Sequence, residues 1–333
     1  MQRTFAITQM NKLGQQGTPF LFAIDFACAQ AIVLPLAEVR PAELLYEVNG
    51  RSNAPRTSAP VSTVVFEKFP MAFAEYERQF HFVTNQIQAG NSFLVNLTNP
   101  TPIVTNLSLR DIFQYSRARY KLWLRERFVV FSPEIFVQIR AGQIASFPMK
   151  GTIDAAIPNA KTIILQDKKE IAEHYTIVDL IRNDLSMVAH NVRVEALRYV
   201  EQVHTASKNL LQVSSKIVGD LPKDYRARLG DLLFQLLPAG SICGAPKPKT
   251  LDIIRTAEQY ERGFYTGVFG IFDGSNLDCG VMIRFIEQTP TGLVYKSGGG
   301  ITAFSEVGSE YQEMIDKVYL PVFQSSKYQF SKI

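Results

Sequence analysis

Cysteine is scarce in this sequence of 333 residues, which has only three: Cys28, Cys243 and Cys279. Because their number is odd and their spacing matches neither a disulfide nor a zinc-binding pattern, they favour a reducing compartment. Long apolar runs are also lacking, since the most apolar early stretch, 18–39, is interrupted by Asp25, Gln30 and Pro35. We therefore expect a cytoplasmic protein with no signal peptide, no spanning helix and no membrane partner.

A strong charge of one sign is missing as well. The sequence has 35 Lys and Arg against 31 Asp and Glu, a net charge of +4, and no block of like charges. This balance argues against a nucleic-acid partner. The histidines show no metal-ligand spacing, and we expect His174, which follows Glu173, to be a packing or supporting residue. The length, about two domains at ~150 residues each, leaves one large domain or two small ones open.

Apolar runs separated by turn residues predict antiparallel strands. Two runs within 128–149 flank the turn 140–143, which is typical of a hairpin. A meander follows over 266–295, and its middle run alternates apolar residues onto one face: Leu277, Cys279, Val281, Ile283 and Phe285. By this alternation Arg284 lies on the opposite face. We find no regular strand–helix–strand repeat and expect an α+β fold with antiparallel or mixed sheets.

Helical periodicity is strongest at two places. Asp167 is a plausible N-cap with Glu170 three residues later, and the stripe that follows is Ile171, Tyr175, Val178, Ile181 and Leu185. After Ser309 a second stripe predicts a helix near the end of the chain, formed by Tyr311, Ile315, Val318 and Val322. A third helix is predicted over 250–260, closed by Gly263.

Each of the first two helices carries a pair of glutamates three residues apart. The pairs are Glu170 with Glu173 and Glu310 with Glu313, and Lys317 follows one turn after the second. Like charges at this spacing repel unless a cation compensates them, and carboxylates brought together suit Mg²⁺. The alternative for each pair taken alone is a solvated helix face.

Three further features are candidates for a site. The glycine-rich turns 240–247 and 298–300 present backbone amides that can bind anions, although neither has the spacing of a P-loop or a dinucleotide motif, and either can be purely structural. Lys150 follows an apolar strand, where a lysine is either exposed or, in a closed cleft, a nucleophile. Glu134, after Ser132 and Pro133, is a candidate general acid.

The order of these motifs resembles the chorismate-utilising enzymes. The motifs are SPE (132–134), PMKGT (148–152), KEIAEHYTIVDLIRNDL (169–185), GSICGAPK (240–247), ERGFYTGVFGIF (261–272), MIRF (282–285), GGGI (298–301) and SEYQEMIDK (309–317). The resemblance covers about 75–325. It implies one chorismate-binding domain over 1–333, with a shortened N-terminal part (1–75) and a catalytic region (76–325). The implied fold has two packed, antiparallel-rich β-sheets flanked by helices, as in anthranilate and aminodeoxychorismate synthases.

The resemblance also implies roles for individual residues. Glu173 and Glu313 would bind Mg²⁺, supported by Glu170 and Glu310, and Glu134 would protonate the departing C4 hydroxyl of chorismate. The substrate would be held by Arg284, Tyr265, Ser241, Thr152, Gly298, Gly299, Gly300 and Lys317.

Position 150 indicates the branch of the family. Lysine there resembles the aminodeoxychorismate synthases, in which it is proposed to attack C2 before ammonia adds at C4, whereas anthranilate synthases carry alanine. Leu94 stands where water-using members have a lysine, so water is not the expected nucleophile. The sequence shows no glutaminase motif, and a glutamine amidotransferase partner is expected to supply ammonia for 4-aminobenzoate and folate synthesis. The alternatives are anthranilate synthesis and a non-catalytic chorismate sensor, because Gln212 replaces a usual histidine and Leu94 the glutamine more usual in the ammonia-using branches.

Overall fold

A computed structural model describes residues 1–55, 64–204 and 209–321. Val322, assigned above to the last helical stripe, lies outside these residues. The chain divides into two compact units, each assembled from three stretches. The first unit is Met1–Ala37, Ile135–Ser241 and Gly270–Cys279, and the second is Glu38–Glu134, Ile242–Phe269 and Gly280–Ile333. That the whole chain acts as one domain stays a prediction.

The described residues form helices and strands in irregular alternation. The helices are α1 (Arg3–Gln15), α2 (Phe73–Gln88), α3 (Leu109–Tyr115), α4 (Ala160–Gln166), α5 (Lys168–Ser186), α6 (Leu229–Leu236), α7 (Gly240–Cys243), α8 (Lys247–Glu258) and α9 (Val307–Asp316). The strands are β1 (Phe20–Ile24), β2 (Ala31–Pro35), β3 (Leu44–Val48), β4 (Arg51–Ser52), β5 (Phe66–Lys68), β6 (Leu94–Thr105), β7 (Tyr120–Leu124), β8 (Phe128–Ser132), β9 (Ile135–Arg140), β10 (Gln143–Ser146), β11 (Met149–Asp154), β12 (His190–His204), β13 (Asn209–Asp220), β14 (Gly244–Ala245), β15 (Val268–Phe272), β16 (Leu277–Val281), β17 (Phe285–Thr289) and β18 (Gly292–Ile301).

The strands build two sheets, and this confirms the predicted α+β class. The first sheet has the order β11-β13-β10-β9-β16-β15-β1-β2, with β12 also paired to β13. The second has the order β14-β6-β18-β17-β8-β7-β3-β4, with β5 also paired to β6. The pairs β9–β10, β11–β13, β17–β18 and β6–β18 are all antiparallel. No helix among the described residues is long and apolar enough to cross a membrane.

Several local predictions are confirmed. Arg140 pairs with Gln143 across the predicted hairpin turn. The N-cap of α5 is Asp167, whose carboxylate accepts a hydrogen bond from the Glu170 backbone N–H at 3.0 Å. This bond satisfies one of the amide groups that every helix leaves without an intrahelical partner at its start.

The predicted middle strand of the meander is wrong. β16 ends at Val281 in the first sheet, and β17 begins at Phe285 in the second, so one apolar run serves two sheets. Between them Arg284 adopts a left-handed conformation with φ of 55°. Alternation along a strand therefore does not set the direction of Arg284, because the strand is interrupted there.

Two helical predictions also need correction. Tyr175 is 49% exposed, and His174, at 1%, occupies the buried stripe of α5 with Val178, Ile181 and Leu185. A pattern of apolar residues alone passes over a buried histidine, here one whose Nε2 lies 2.7 Å from Ser215 Oγ. The helix α8 ends at Glu258 with Gln259 in the left-handed conformation, so Gly263 does not close it.

Each unit has an apolar interior. In the first unit strands β1 and β9 and their neighbours bury their side chains, among them Phe20, Phe22, Ile139, Ile144 and Ile217. In the second unit a cluster of buried residues joins α3 to the sheet and to the segment after α9, and it includes Ile112, Phe113, Trp123, Phe131, Tyr295 and Val318. The helix α5 packs against β11, β12 and β13, and α9 packs against β18 and α2, so both helices that carry the candidate carboxylates are held by neighbouring elements.

Candidate active site

In the first unit, β11 and α5 bring two of the predicted site residues into contact. The ammonium group of Lys150 donates a hydrogen bond to a carboxylate oxygen of Glu173 at 3.0 Å, and both side chains are largely buried. The next residue, Gly151, has φ of 85°, and a β-carbon there would lie 3.3 Å from Glu170 Oε2. A glycine at this position allows the strand to approach the helix and to adopt a positive φ. Lys150, Glu170 and Glu173 therefore form one charged group.

A buried histidine, His174, follows Glu173 on α5. His174 Nε2 lies 2.7 Å from Ser215 Oγ on β13. Burial, followed by the positive charges of Arg198 and Lys150, lowers the pKa of His174 to about 4. The imidazole is therefore neutral near pH 7, as expected for a packing or supporting residue. The sequence interpretation missed Ser215 and Arg198, whose only local signal is a polar residue within a strand.

Two other predicted residues lie on the same strands. Thr152 is exposed on β11, and its register partner is Gln212 on β13. On its other side Gln212 pairs with Glu201 of β12. Gln212 is thus flanked by a strand on each side, near one edge of the first sheet and directly opposite a residue expected to bind substrate.

In the second unit, α9 and β18 form a second charged group. Lys317 donates to the Glu313 carboxylate at 2.6 Å and to the backbone carbonyl of Gly298 at 2.7 Å. Glu310 is buried and accepts a hydrogen bond from Ser305 Oγ at 2.7 Å. Gly299 lies against all of them.

The glycines of β18 make this close approach possible. A β-carbon on Gly299 would lie 3.1 Å from Glu310 Oε2 and 3.7 Å from both Glu313 Oε1 and Lys317 Nζ. On the neighbouring Gly298 it would collide with the backbone of β6 at Leu97 and Thr98. The glycine-rich run is therefore required by packing, and its amides lie beside charged side chains.

The carboxylates affect a neighbouring tyrosine. Burial, together with the negative charges of Glu310 and Glu313, raises the pKa of Tyr76 on α2. Tyr76 therefore keeps its proton, and its hydroxyl remains a possible donor to anions. No sequence motif pointed to this residue.

The four glutamates predicted to bind Mg²⁺ occur as one pair in each unit. Oxygen ligands from carboxylates are what Mg²⁺ prefers, so the chemistry of each pair fits the ion. Across the part of the chain that the structure describes, no three His, Cys, Asp or Glu side chains converge as a metal cluster. A single ion held by Glu170, Glu173, Glu310 and Glu313 stays a prediction.

Arg284 is surrounded by tyrosines in the second unit. Its Nε lies 3.4 Å from the Tyr319 hydroxyl, and its guanidinium carbon lies 5.6 Å from the centre of the Tyr319 ring. Burial lowers the pKa of Arg284, but Tyr295, Tyr319 and Tyr265 outweigh it, and the pKa is raised overall. The guanidinium therefore stays charged and available to an anion.

The same arginine lines an open pocket of about 590 Å³. The pocket is lined by Arg284, Gly308, Ser309, Gln312, Glu313, Asp316, Lys317 and Tyr319. It combines two cations with two carboxylates, so its ligand would have to present both anionic and neutral or cationic groups, or bring a metal ion. Among the predicted site residues, Arg284, Glu313 and Lys317 are brought together here.

Tyr265 and Glu134 lie near Arg284. Tyr265 is buried, and burial raises the pKa of its hydroxyl although the positive charges of Arg262 and Arg284 oppose this. Glu134, between β8 and β9, adds its negative charge to the surroundings of Tyr265. Its backbone carbonyl accepts a hydrogen bond from the Val281 N–H at 3.1 Å, next to the break that presents Arg284.

The turn 240–247 has a structural explanation. It forms the single-turn helix α7, the short strand β14 and the start of α8. Gly244 has φ of 104°, and a β-carbon there would collide with the backbone of Leu94, the register partner of Ala245. Leu94 itself is buried. Ser241 is half-buried and is the last residue of the stretch Ile135–Ser241 in the first unit. Its contact with substrate stays a prediction.

Comparison with known proteins gives consistent matches. The family described as chorismate binding enzyme matches residues 28–322. An uncharacterized PabA-like protein of Pasteurella multocida is 51% identical over 317 residues, 95% of this chain and 98% of that protein. Aminodeoxychorismate synthase component 1 of Klebsiella aerogenes is 33% identical over 263 residues, 74% of this chain but only 57% of that protein. The menaquinone-specific isochorismate synthase of Escherichia coli has the same fold, with a TM-score of 0.73 at 16% identity, over 94% of this chain and 80% of that one.

Proposed function

Because the chain belongs to the chorismate binding enzymes, we propose that it is the chorismate-aminating subunit of an aminodeoxychorismate synthase. It would convert chorismate and ammonia to 4-amino-4-deoxychorismate, on the route to 4-aminobenzoate and folate. The observation that carries this proposal is Lys150, which β11 holds at 3.0 Å from Glu173 in a largely buried position. A lysine in such a place is a candidate nucleophile rather than a solubilising surface residue.

The proposed chemistry uses Lys150 and Glu134 in sequence. Lys150 Nζ, once it has lost a proton, forms a bond to C2 of chorismate while the ring double bonds shift and the C4–oxygen bond breaks. Glu134 donates the proton with which the C4 hydroxyl leaves as water. Ammonia then adds at C4, the double bonds shift back, and the C2–nitrogen bond breaks to release Lys150. The hydrogen bond to Glu173 must open first, since the ammonium form has no lone pair.

The other site residues would bind the two carboxylates of chorismate. Arg284, Tyr265 and Lys317, with the amides of the glycine strand β18, supply cations and donors for anions. Mg²⁺, if held by the glutamate pairs, would supply positive charge for a carboxylate and polarise it. Ser241 and Thr152 would add neutral hydrogen bonds.

The proposal is tested by the nitrogen source and the product. We expect the isolated chain, given chorismate and Mg²⁺, to use ammonium but not glutamine, because its sequence contains no glutaminase motif. Mass spectrometry should identify 4-amino-4-deoxychorismate, which keeps the enolpyruvyl side chain of chorismate. A glutamine amidotransferase added to the assay should make glutamine a substrate.

Other outcomes of this assay would reject the proposal. Release of pyruvate with ammonium present would indicate anthranilate formation. Binding of chorismate without any turnover, under all nitrogen sources, would indicate a sensor. Turnover of glutamine by the purified chain alone would show that a glutaminase site had been missed.

Substitution of Arg284 tests the carboxylate site. An arginine can hold a carboxylate with two parallel hydrogen bonds, which the point charge of lysine does not reproduce. We expect Arg284→Lys to lower kcat/KM for chorismate at least ~10-fold, as for the loss of one charge-assisted hydrogen bond of ~1.5 kcal/mol. Arg255→Lys, on the exposed face of α8, is the matched control. An unchanged kcat/KM in Arg284→Lys would place this arginine outside the site.

A further inference from the structure

The segment between α8 and β15, which carries Tyr265, is fastened by a buried arginine. Arg262 is 3% exposed, and its Nε donates to the Glu258 carboxylate at 2.8 Å. Its NH2 nitrogen donates to the backbone carbonyl of Asn96 on β6 at 2.7 Å, and its NH1 nitrogen to Thr266 Oγ1 at 3.2 Å. A guanidinium placed in this way fixes the segment to the sheet on one side.

A buried lysine fastens the same segment on the other side. Lys296 of β18 is 4% exposed. Its ammonium group donates to the backbone carbonyls of Arg262 at 3.0 Å and Glu261 at 3.3 Å, and it pairs with the Glu287 carboxylate at 2.7 Å. Three acceptors match its three N–H donors. A buried ammonium group without such partners would be costly, which makes this geometry specific.

Lys296 also contacts the segment that presents Arg284. Its register partner on β17 is Phe285, the residue that follows Arg284, and its Nζ lies 5.7 Å from the centre of the Phe285 ring. The Tyr265 ring centre lies 5.9 Å from that of Phe285. The ammonium group of Lys296 therefore contacts both the segment that carries Tyr265 and the segment that carries Arg284.

We propose that Lys296 is a positioning residue, which sets Tyr265 relative to Arg284 so that both can hold one carboxylate of the substrate. Donors held in place before the ligand arrives avoid the cost of ordering them during binding. The inference rests on the proposed function only in taking the substrate to be chorismate. Lys296 itself donates to protein groups and acts through Tyr265 and Arg284.

The second unit contains a closely matched control. Lys121 is 7% exposed, donates to the backbone carbonyls of Phe113 at 3.2 Å and Ser116 at 3.1 Å, and pairs with Glu47 at 2.9 Å. It has the same number and kind of acceptors as Lys296, but they belong to the end of α3 and to β3. None of them is a predicted site residue.

The test compares Lys296→Met with Lys121→Met. Calorimetry in the Lys150→Ala background, which lacks the attacking amine and should still bind chorismate, gives the Kd, and thermal unfolding gives the Tm. We expect both variants to lower the Tm by similar amounts, because each loses three buried hydrogen bonds. The Kd should rise about tenfold in Lys296→Met, since a charge-assisted contact of Tyr265 or Arg284 is weakened, and stay within about twofold in Lys121→Met. Equal effects of the two variants on the Kd would overturn the proposal.

A pair of more conservative substitutions tests the same proposal if Lys296→Met does not fold. Glu287→Gln weakens the ion pair of Lys296, and Glu47→Gln weakens the ion pair of Lys121. The two glutamate side chains are equally exposed, at 32% and 31%. Glu287→Gln should raise the Kd more than Glu47→Gln, and the same Kd in both would again overturn the proposal. Product identity does not enter this measurement. A chain that binds chorismate and makes a different product contradicts the proposed function while the Kd comparison still stands.

Discussion

Replacing Lys150 by alanine is expected to slow amination at C4 by roughly 10³-fold while chorismate still binds. The variant lacks the atom that attacks C2, and a loss of this size corresponds to ~4 kcal/mol of transition-state stabilisation. Binding should persist because Arg284, Tyr265 and Lys317 are unchanged. Steady-state kinetics gives the rate, and calorimetry gives the affinity for chorismate.

Mass spectrometry distinguishes a nucleophile from a charge that only stabilises the site. Wild-type protein mixed with chorismate and Mg²⁺, without ammonia, should carry a chorismate-derived adduct on Lys150. Lys161→Ala is the control, because Lys161 is an exposed lysine on α4 of the same unit. An adduct-free protein, together with near-normal turnover of Lys150→Ala, would remove both the mechanism and the choice of branch.

The second large effect is expected for the carboxylates that we propose as Mg²⁺ ligands. Glu173→Gln and Glu313→Gln should each reduce turnover by at least ~10³-fold, because a neutral amide is a much poorer ligand for Mg²⁺ than a carboxylate. Glutamine has nearly the shape of glutamate, and Lys317 keeps its hydrogen bond to Gly298, so the fold should survive. Circular dichroism and the Tm check the fold, and calorimetry with MgCl₂ and chorismate checks the ion directly.

Glu195→Gln is the matched control for the substitutions of Glu173 and Glu313. Glu195 also pairs with a lysine, Lys216, but this pair lies at the surface of β12 and β13. Exposed pairs contribute little to stability, and Mg²⁺ binding and turnover should be unchanged. Full activity of Glu173→Gln or Glu313→Gln in the presence of a chelator would reject the metal site.

Ordered motifs and local chemistry carried the correct predictions from sequence. Eight motifs in a fixed order predicted the family, which the match over 28–322 confirms. The start of α5 was predictable because Asp167 and Glu170 interact within one turn. Features of this kind depend on neighbours in the chain, and a sequence displays those neighbours directly.

The wrong or missing predictions depend on distant partners. Arg284 was placed by strand alternation, but a single run of residues cannot reveal that its two ends pair with different sheets. His174 is buried beside Ser215, which is 41 residues away in the chain, and the two side chains share a hydrogen bond. Lys296 stands alone in the apolar part of β18, and only the folded chain shows that its acceptors lie 34 and 35 residues earlier.

The pairing of β6 with β18 has a consequence for how the chain is made. Residues 95–103 of β6 pair with 293–301 of β18, about 200 residues later. During synthesis, therefore, this side of β6 has to wait for its partner strand until about 200 further residues have been made. The strand that brings Gly298, Gly299 and Lys296 into place is the last of the described strands to be made, and a fragment cut before Gly292 cannot contain the completed second sheet.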